Sequence, residues 1–386
     1  MPVKSLDQLN LKDRRVLLRV DYNVPMDDDC GITDDSRIRA SLPTLNRMVE
    51  AGSRITLMSH LGRPKGKFDP KYSMKPVAGH LSSLLGRGVH VVEDFTDGGD
   101  HGALQMLENL RFSPGETEND EAFARHLAQY GDVYVNDAFG AAHRAHASIA
   151  AVCSHFSEKG AGLLMMKEIH YLKDALESPE RPFVAVLGGS KVSDKLKLIR
   201  NLLEKVDVLI VGGAMSYTFL KAKGIEVGES RVEGSFLEEA NALIGLCARR
   251  GIRLLLPLDH LAADSFKEDA NAEITLDQDI RPGYMGLDIG PETINLFTET
   301  LLQARTAVWN GPMGVFEWEA FSTGTISVAE AMAESEALTV VGGGDSVAAV
   351  HKADVAGQIT HISTGGGASL ELLAGHELPG IKALET

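Results

Sequence analysis

Residues 338–346, LTVVGGGDS, decide the class of fold because a β-rich run passes directly into a row of glycines. The same order occurs at 183–195, FVAVLGGSKVSDK, and at 208–214, VLIVGGA. Strands that alternate with helices through such turns are typical of parallel sheets flanked by helices. We therefore predict an α/β fold.

The alternation extends over the whole chain. Helices are predicted at 37–50, 75–85, 120–130 and 165–176. Strands are predicted at 16–20, 54–58, 89–92 and 132–135, and again at 183–187, 208–211, 253–256, 306–309, 338–341 and 359–362. The restart of the pattern after residue 180 indicates a second domain.

The segment 178–182, SPERP, contains two prolines and predicts the boundary between the domains. We expect two doubly wound parallel-sheet domains that face each other across a cleft and are joined by a helical hinge near 165–180. Residues 1–170 would form the first domain and residues 171–365 the second. Residues 366–386 are expected to return to the hinge or to the first domain.

The composition excludes several classes of protein. With 386 residues, 44% apolar and 24% charged, the chain has the balance of a globular protein. A net charge of −16 disfavours nucleic acid and anionic membranes as partners. No signal peptide or membrane span is apparent, and the three cysteines have no zinc-binding spacing. We expect a cytoplasmic protein with unpaired thiols.

Polar residues follow each predicted strand of the first domain. Asp21 and Asn23 follow the first strand, where they could bind a ligand hydroxyl or form an Asx turn with the backbone. His60 and Arg63 flank Gly62 after the second, where an anion site and a solvated loop are equally good interpretations. His143 and His146 have a spacing that could suit a metal, but no third ligand is apparent.

The cationic residues of the first domain indicate a common site when they are considered together. In a parallel sheet the residues that follow the strands meet at one edge, where ligands bind. The set contains Arg37, His60, Arg63, Arg111 and Arg144. Several guanidinium groups at one point require an anion, and a phosphorylated carboxylic acid would serve.

The second domain carries a different chemistry. Lys191 and Lys195 are four residues apart, and we expect them on one face of the helix that begins there. Glycines before a helix start expose backbone N–H groups that can bind phosphate, although each cluster could also be only a tight turn. Asp345 beside such a cluster could hold Mg²⁺. Glu317 could accept hydrogen bonds from ribose hydroxyls, or its loop could serve only in packing.

Two motifs are missing from the sequence. It contains no GxxxxGK[ST], which argues against a Walker-type nucleotide-binding protein. No GxGxxG opens the first strand–helix unit, which argues against a nicotinamide dehydrogenase.

Four motifs occur in order in the first domain: RVDYNVP at 19–25, SHLGRP at 59–64, LENLRF at 107–112 and VNDAFGAAHRAHAS at 135–148. The second domain adds LGGSKVSDK, VWNGPMGVFE, VGGGDS and STGGGASLE. With these motifs the chain resembles bacterial-type phosphoglycerate kinases over essentially its full length. The resemblance implies a cytoplasmic, usually monomeric glycolytic enzyme that transfers a phosphoryl group reversibly between 1,3-bisphosphoglycerate and ADP, giving 3-phosphoglycerate and ATP, with Mg²⁺.

The resemblance also implies a role for individual residues. Those expected to bind phosphoglycerate are Asp21, Asn23, Arg37, His60, Leu61, Gly62, Arg63, Arg111 and Arg144. Those expected to bind nucleotide are Lys195, Gly212, Gly213, Asn310, Glu317, Gly343, Gly344, Asp345 and Ser346. Arg37, Lys191 and Lys195 would act on the transferred group, and Asp345 would hold the metal. His260 is unusual at its position, and its role is left open.

The chemistry of the reaction agrees with these residues. The acceptor carboxylate is already ionised at neutral pH, so no general base is needed. Positioning and electrostatic stabilisation then lower the barrier. The alternative is a non-catalytic two-domain hinge protein that binds a small phosphorylated anion. Such a protein would not need a metal-binding aspartate beside a glycine turn.

Overall fold

The computed structural model describes residues 2–94 and 102–385. The chain divides into two compact units, of which the first comprises Met1–His170 and Glu377–Thr386 and the second Tyr171–His376. Each unit is built around a six-stranded parallel sheet. The two parallel-sheet α/β domains predicted from the sequence are therefore confirmed.

The first sheet has the order β3-β4-β2-β1-β5-β6. Its strands are β1 (Arg15–Arg19), β2 (Arg54–Met58), β3 (His90–Val92), β4 (Leu104–Leu107), β5 (Val133–Asn136) and β6 (Lys159–Ala161). The helices of this part are α1 (Ser36–Glu50), α2 (Lys75–Leu85), α3 (Pro114–Thr117), α4 (Glu121–Ala128) and α5 (Leu163–Ile169). The central strands β1, β2 and β5 are almost wholly buried, as their continuous apolar runs require.

Helix α1 shows how the sequence places one of these helices. Ile38, Leu45 and Met48 lie on its buried face, at the spacing that faces a core. The helix gives way to Gly52, whose φ of +75° suits the turn into β2. This turn returns the chain to the sheet at β2.

The second unit contains β7 (Phe183–Leu187), β8 (Val208–Val211), β9 (Arg253–Leu255), β10 (His260–Ala263), β11 (Ala272–Ile274), β12 (Met285–Ile289), β13 (Thr306–Asn310), β14 (Leu338–Val341) and β15 (His361–Ile362). Its helices are α6 (Ala175–Glu177), α7 (Leu196–Leu202), α8 (Ser216–Ala222), α9 (Leu237–Arg250), α10 (Pro291–Leu302), α11 (Thr323–Glu334), α12 (Gly344–Lys352) and α13 (Gly367–Leu373). The parallel sheet has the order β15-β14-β13-β7-β8-β9. A separate antiparallel sheet has the order β11-β10-β12.

The last helix, α14 (Pro379–Lys382), belongs to the first unit. The backbone N–H of Gly380 donates to the carbonyl oxygen of Ala142 at 2.8 Å, and Leu384 is fully buried. The structure places residues 366–376 in the second unit and residues 377–386 in the first.

The structure departs from the sequence-based expectations in three places. Strand β6 and the antiparallel sheet were not predicted. β6 (Lys-Gly-Ala) and the fully exposed β11 lack the β-branched alternation that marks a strand. The single helix predicted at 165–176 is interrupted by a π-helical turn at His170–Asp174.

Among the described residues no helix has the length and apolar character to cross a membrane.

Candidate active site

Three loops of the first unit meet at Gly62. The backbone N–H of Gly62 donates to Oδ1 of Asn23 at 2.8 Å, and Nη1 of Arg111 donates to the Gly62 carbonyl oxygen at 2.7 Å. The φ of Gly62 is +59°, and a Cβ there would lie 2.3 Å from a ring carbon of Tyr72. Glycine is therefore required for this junction, which fixes Asn23 and Arg111 next to one another.

Arg37 reaches back from the start of α1 to the loop that follows β1. Its Nη1 donates to the carbonyl oxygen of Asn23 at 3.0 Å and lies 3.4 Å from the carboxylate of Asp21. Asp21 also accepts from the Asn23 backbone N–H at 3.3 Å. The Asx turn left open by the sequence is thus present, and it presents Asp21 to the Arg37 guanidinium.

Positive groups gather around His60. Burial first, and then the charges of Arg19, Arg111, Arg144 and His146, hold the pKa of His60 well below its usual value. Burial and the charges of Arg144 and Arg19 likewise lower the pKa of Arg111 to about 10. These groups lie close enough to repel one another, so an anion bound among them would be stabilised.

Arg19 is a member of this cluster that the sequence analysis missed. It lies inside the apolar run of β1 and is fully buried. A charged residue within a buried run is itself the signal that could have identified it, because such a charge needs a partner.

Three other residues of this unit were expected to bind phosphoglycerate. Leu61 is buried, and its carbonyl oxygen accepts from Nδ2 of Asn109 at 2.7 Å. Nε of Arg144 donates to Nε2 of His143 at 3.2 Å. Arg63 is exposed directly after Gly62 and forms no ion pair within residues 2–94 and 102–385.

Lys195 is the best-anchored cation of the second unit. Its Nζ donates to the carbonyl oxygens of Gly188 and Asn310, both at 2.7 Å. Burial lowers the pKa of this ammonium to about 8, while the charges of Asp345 and Asp194 oppose the shift. The group is held by backbone oxygens and stays close to a carboxylate.

The expectation that Lys191 and Lys195 share a helix face is wrong. Helix α7 begins at Leu196 and has Lys195 as its N-cap residue. Lys191 is exposed in the loop before it. The segment between β7 and α7 is longer than the sequence pattern indicated, so Lys191 lies in the loop and Lys195 at the end of the turn that precedes α7.

The glycine-rich turns of this unit are held together by close backbone approaches. Gly213 has a φ of +63°, and a Cβ there would lie 2.5 Å from the backbone nitrogen of Gly189. A Cβ at Gly212 would lie 2.3 Å from Sδ of Met313. Gly343 has a φ of +92° and precedes α12, which begins at Gly344. Only glycine can occupy these turns without strain.

Asn310 and Ser346 tie these turns together. Nδ2 of Asn310 donates to the carbonyl oxygen of Gly342 at 2.8 Å, and Oγ of Ser346 accepts from the backbone N–H of Gly311 at 2.6 Å. Both side chains are buried. In this structure they position the loops after β13 and β14.

A cavity of about 550 Å³ opens beside these turns. Gly189, Gly213 and Asp345 line one part, and Phe266, Met285 and Val315 contribute apolar surface. Exposed Glu317 also lines it. The combination of glycine turns and apolar side chains suits a nucleotide. The apolar contributors Phe266 and Met285 were not identified from the sequence, because they come from the unpredicted antiparallel sheet and its loop.

His260 lies behind this cavity. It is fully buried on β10, with its ring centroid 5.3 Å from that of Tyr217, which lines the cavity. Its Nε2 is 3.2 Å from the carbonyl oxygen of Gln278, and burial lowers its pKa to about 4. His260 is therefore a neutral packing residue that supports Tyr217.

Asp345 is the one residue that was expected from the sequence to hold Mg²⁺. No group of three or more His, Cys, Asp or Glu side chains suited to a metal occurs in the part of the chain that the structure describes. Asp345 is exposed in the first turn of α12 and faces the cavity. A single carboxylate fits an ion that is held mainly by nucleotide phosphates.

The fold and these two sites define a two-unit α/β phosphotransferase. The family model of phosphoglycerate kinase matches residues 6–376. A phosphoglycerate kinase of Moorella thermoacetica is 54% identical, with 98% of each chain covered, and one of Anaeromyxobacter sp. (strain K) is 51% identical over the full length of both. The structure of phosphoglycerate kinase from Coxiella burnetii has a TM-score of 0.94 at 44% identity and covers 99% of each chain.

The chain belongs to the phosphoglycerate kinase family. It is a glycolytic kinase, a phosphotransferase with a carboxyl group as acceptor. The alternative of a non-catalytic hinge protein is not favoured.

Proposed function

We propose that 3-phosphoglycerate binds at the cationic cluster of the first unit and that ADP or ATP binds in the cavity of the second. The observation that carries this assignment is the excess of positive groups around His60. A small phosphorylated anion would neutralise their repulsion. The residues assigned to it are those expected from the sequence: Asp21, Asn23, Arg37, His60, Leu61, Gly62, Arg63, Arg111 and Arg144.

The assignment of the nucleotide rests on the cavity and on Lys195. The glycine turn at Gly343 and Gly344 supplies backbone N–H groups for phosphates at the start of α12. Gly212 and Gly213, whose N–H groups donate to the carbonyl oxygens of Leu187 and Met313, are assigned to the wall of the nucleotide site. Glu317 accepts from ribose hydroxyls, whereas Asn310 and Ser346 hold the turns in place. Mg²⁺ would be held by Asp345, and it supplies neutralising charge for the phosphates when bound.

The reaction needs charge stabilisation more than proton transfer. The attacking carboxylate of 3-phosphoglycerate is ionised at neutral pH and needs no base. We assign Arg37, Lys191 and Lys195 to the charge that spreads over the moving phosphoryl group. Asp21 and the Asn23 carbonyl orient the Arg37 guanidinium before substrate arrives.

Reaction also requires the two substrates to approach to about 3–3.5 Å. We propose that the two units close over the bound substrates and exclude water from the acyl phosphate. The chain crosses from one unit to the other at residues 170–171, within the π-helical turn. We propose this segment as the hinge, and we propose that the enzyme acts as a cytoplasmic monomer.

A coupled assay tests the proposal. The protein is mixed with ATP and 3-phosphoglycerate, with and without Mg²⁺, and ADP formation is followed. We expect turnover only when all three are present. Binding of both ligands without turnover would instead support the non-catalytic hinge protein.

A further inference from the structure

We propose that Glu116 is a positioning residue that acts through Ser148 and Arg19 to hold His60 as a hydrogen-bond donor to the substrate. The inference rests on the proposed binding of phosphoglycerate at His60. Glu116 lies on α3 and is fully buried. It was not among the residues expected from the sequence.

The contacts form a continuous chain. Oγ of Ser148 donates to Oε1 of Glu116 at 2.7 Å, and the Ser148 backbone N–H donates to Oε2 at 3.0 Å. Because the hydroxyl hydrogen points to Glu116, the oxygen of Ser148 is free to accept, and Nε of Arg19 lies 2.8 Å from it. All three side chains are buried.

The other edge of Arg19 faces His60. Nη1 of Arg19 donates to the carbonyl oxygen of Val20, and Nη2 lies 3.0 Å from Nδ1 of His60. A guanidinium can only donate, so Nδ1 of His60 must accept. The imidazole is then neutral with its hydrogen on Nε2. Burial and the surrounding cations, which lower the pKa of His60, act in the same direction.

The charge of Glu116 is what makes this arrangement possible. Arg19 is buried beside other cations, and Glu116 is the carboxylate that its hydrogen-bond chain reaches. The pKa of Glu116 is lowered by hydrogen bonds from His146 and Ser148 and by the charge of Arg19, although burial opposes the shift. Nδ1 of His146 lies 3.5 Å from Oε1 of Glu116. The other groups whose charges act on His60 are Arg111 and Arg144.

A purely structural role would be limited to joining α3 to the segment around Ser148. The two interpretations differ in what they predict for His60. If Glu116 only joins two segments, its substitution lowers stability and leaves the imidazole unchanged. If Glu116 positions Arg19, its substitution frees Arg19 and lets His60 adopt the other tautomer.

The test uses ¹⁵N-histidine-labelled full-length enzyme. The His60 resonances are assigned by comparison with His60→Gln, and their shifts are followed with pH. In the wild type we expect the Nε2–H tautomer at all pH values at which the protein is folded. In Glu116→Gln we expect mixed tautomers, with a several-fold rise in KM for 3-phosphoglycerate and little change in KM for ATP.

Two further variants complete the test. Glu118→Gln removes an exposed carboxylate two residues away and should behave as wild type. Ser148→Ala breaks the chain without removing the charge and should act in the same direction as Glu116→Gln. A wild-type His60 with its hydrogen on Nδ1 overturns the proposal even if Glu116→Gln does not fold. Unchanged tautomer and KM in a folded Glu116→Gln also overturn it. Absence of turnover in the wild type would instead refute the proposed function, because the tautomer is measured without substrates.

Discussion

Nζ of Lys195 donates a 2.7 Å hydrogen bond to the backbone carbonyl oxygen of Asn310, and this bond joins the start of α7 to the end of β13. A second bond of equal length runs to Gly188. The ammonium is thus fixed by backbone oxygens before any nucleotide binds. Its burial lowers its pKa to about 8, within reach of ordinary assay conditions.

We expect the nucleotide affinity to depend on pH through Lys195. Below about pH 8 the ammonium is charged and attracts phosphate, whereas above this value the neutral amine does not. The kcat/KM for ATP should therefore fall as pH rises through 8, and Lys195→Arg should remove this fall. Lys197→Arg serves as the control, because Lys197 is exposed on α7 and has no assigned role. A wild-type profile that stays level well beyond pH 8 would contradict the prediction.

Arg37→Ala should lower turnover far more than it lowers affinity. The guanidinium is assigned to charge that appears on the moving phosphoryl group, and loss of one such donor costs on the order of 3–4 kcal/mol, or 10²–10³-fold in kcat. Steady-state kinetics with both substrates measures the effect. Arg39→Ala is the control, because Arg39 lies on the same helix but pairs with Asp35. Normal kcat with a raised KM for 3-phosphoglycerate would make Arg37 only an anchor for the substrate.

Asp345→Asn should weaken the response of the rate to Mg²⁺ without unfolding the protein. The carboxylate of Asp345 lies in the first turn of α12, where its negative charge interacts favourably with the helix dipole. Its loss is therefore expected to lower the free energy of unfolding by roughly 0.3–1 kcal/mol. The rate is measured over a Mg²⁺ titration. Asp354→Asn, just beyond the other end of this helix, is the control. An unchanged titration would show that the metal is held elsewhere.

Much of the architecture was predictable because buried parallel strands carry continuous apolar runs. β7, β8 and β13 all have this property, and the loops after them hold the expected glycines. The three-residue strand β11 has no such run, since all its residues are exposed. Its sheet, and the cavity wall near it, could therefore not be predicted.

Most of the residues that we propose for the first site were indicated by the sequence because they follow a strand. Asp21, His60 and Arg111 do so. Arg19 does not, because it lies within β1, and it is linked through Ser148 to Glu116, which is far away in the sequence. Such a link depends on the packing of α3 and the segment around Ser148, which local patterns do not encode.

Burial of His260 should make the protein less stable in acid. The pKa of His260 falls from 6.5 to about 4 on folding. Between these pH values the unfolded chain therefore binds a proton at His260 and the folded chain does not, so the free energy of unfolding decreases as the pH falls. The loss reaches up to about 3 kcal/mol. Urea unfolding of the wild type and His260→Phe between pH 4 and 7 measures it.

The variant should show a flatter decline of the unfolding free energy towards acid, even if its stability at pH 7 is lower. His351→Phe, at an exposed position of α12, should keep the wild-type slope. His60 contributes a decline of the same sign in both proteins, so it cancels in the comparison. Equal slopes for wild type and His260→Phe would refute the prediction.

We propose that the two substrates bind to different units and react only after these units close. Small-angle scattering tests it most directly, with the radius of gyration measured for the apo protein, for each binary complex and for the complex with both substrates. We predict a smaller radius with both ligands than with either one alone. A ternary complex no more compact than the apo protein would contradict the account, because the substrates would then have to meet without closure.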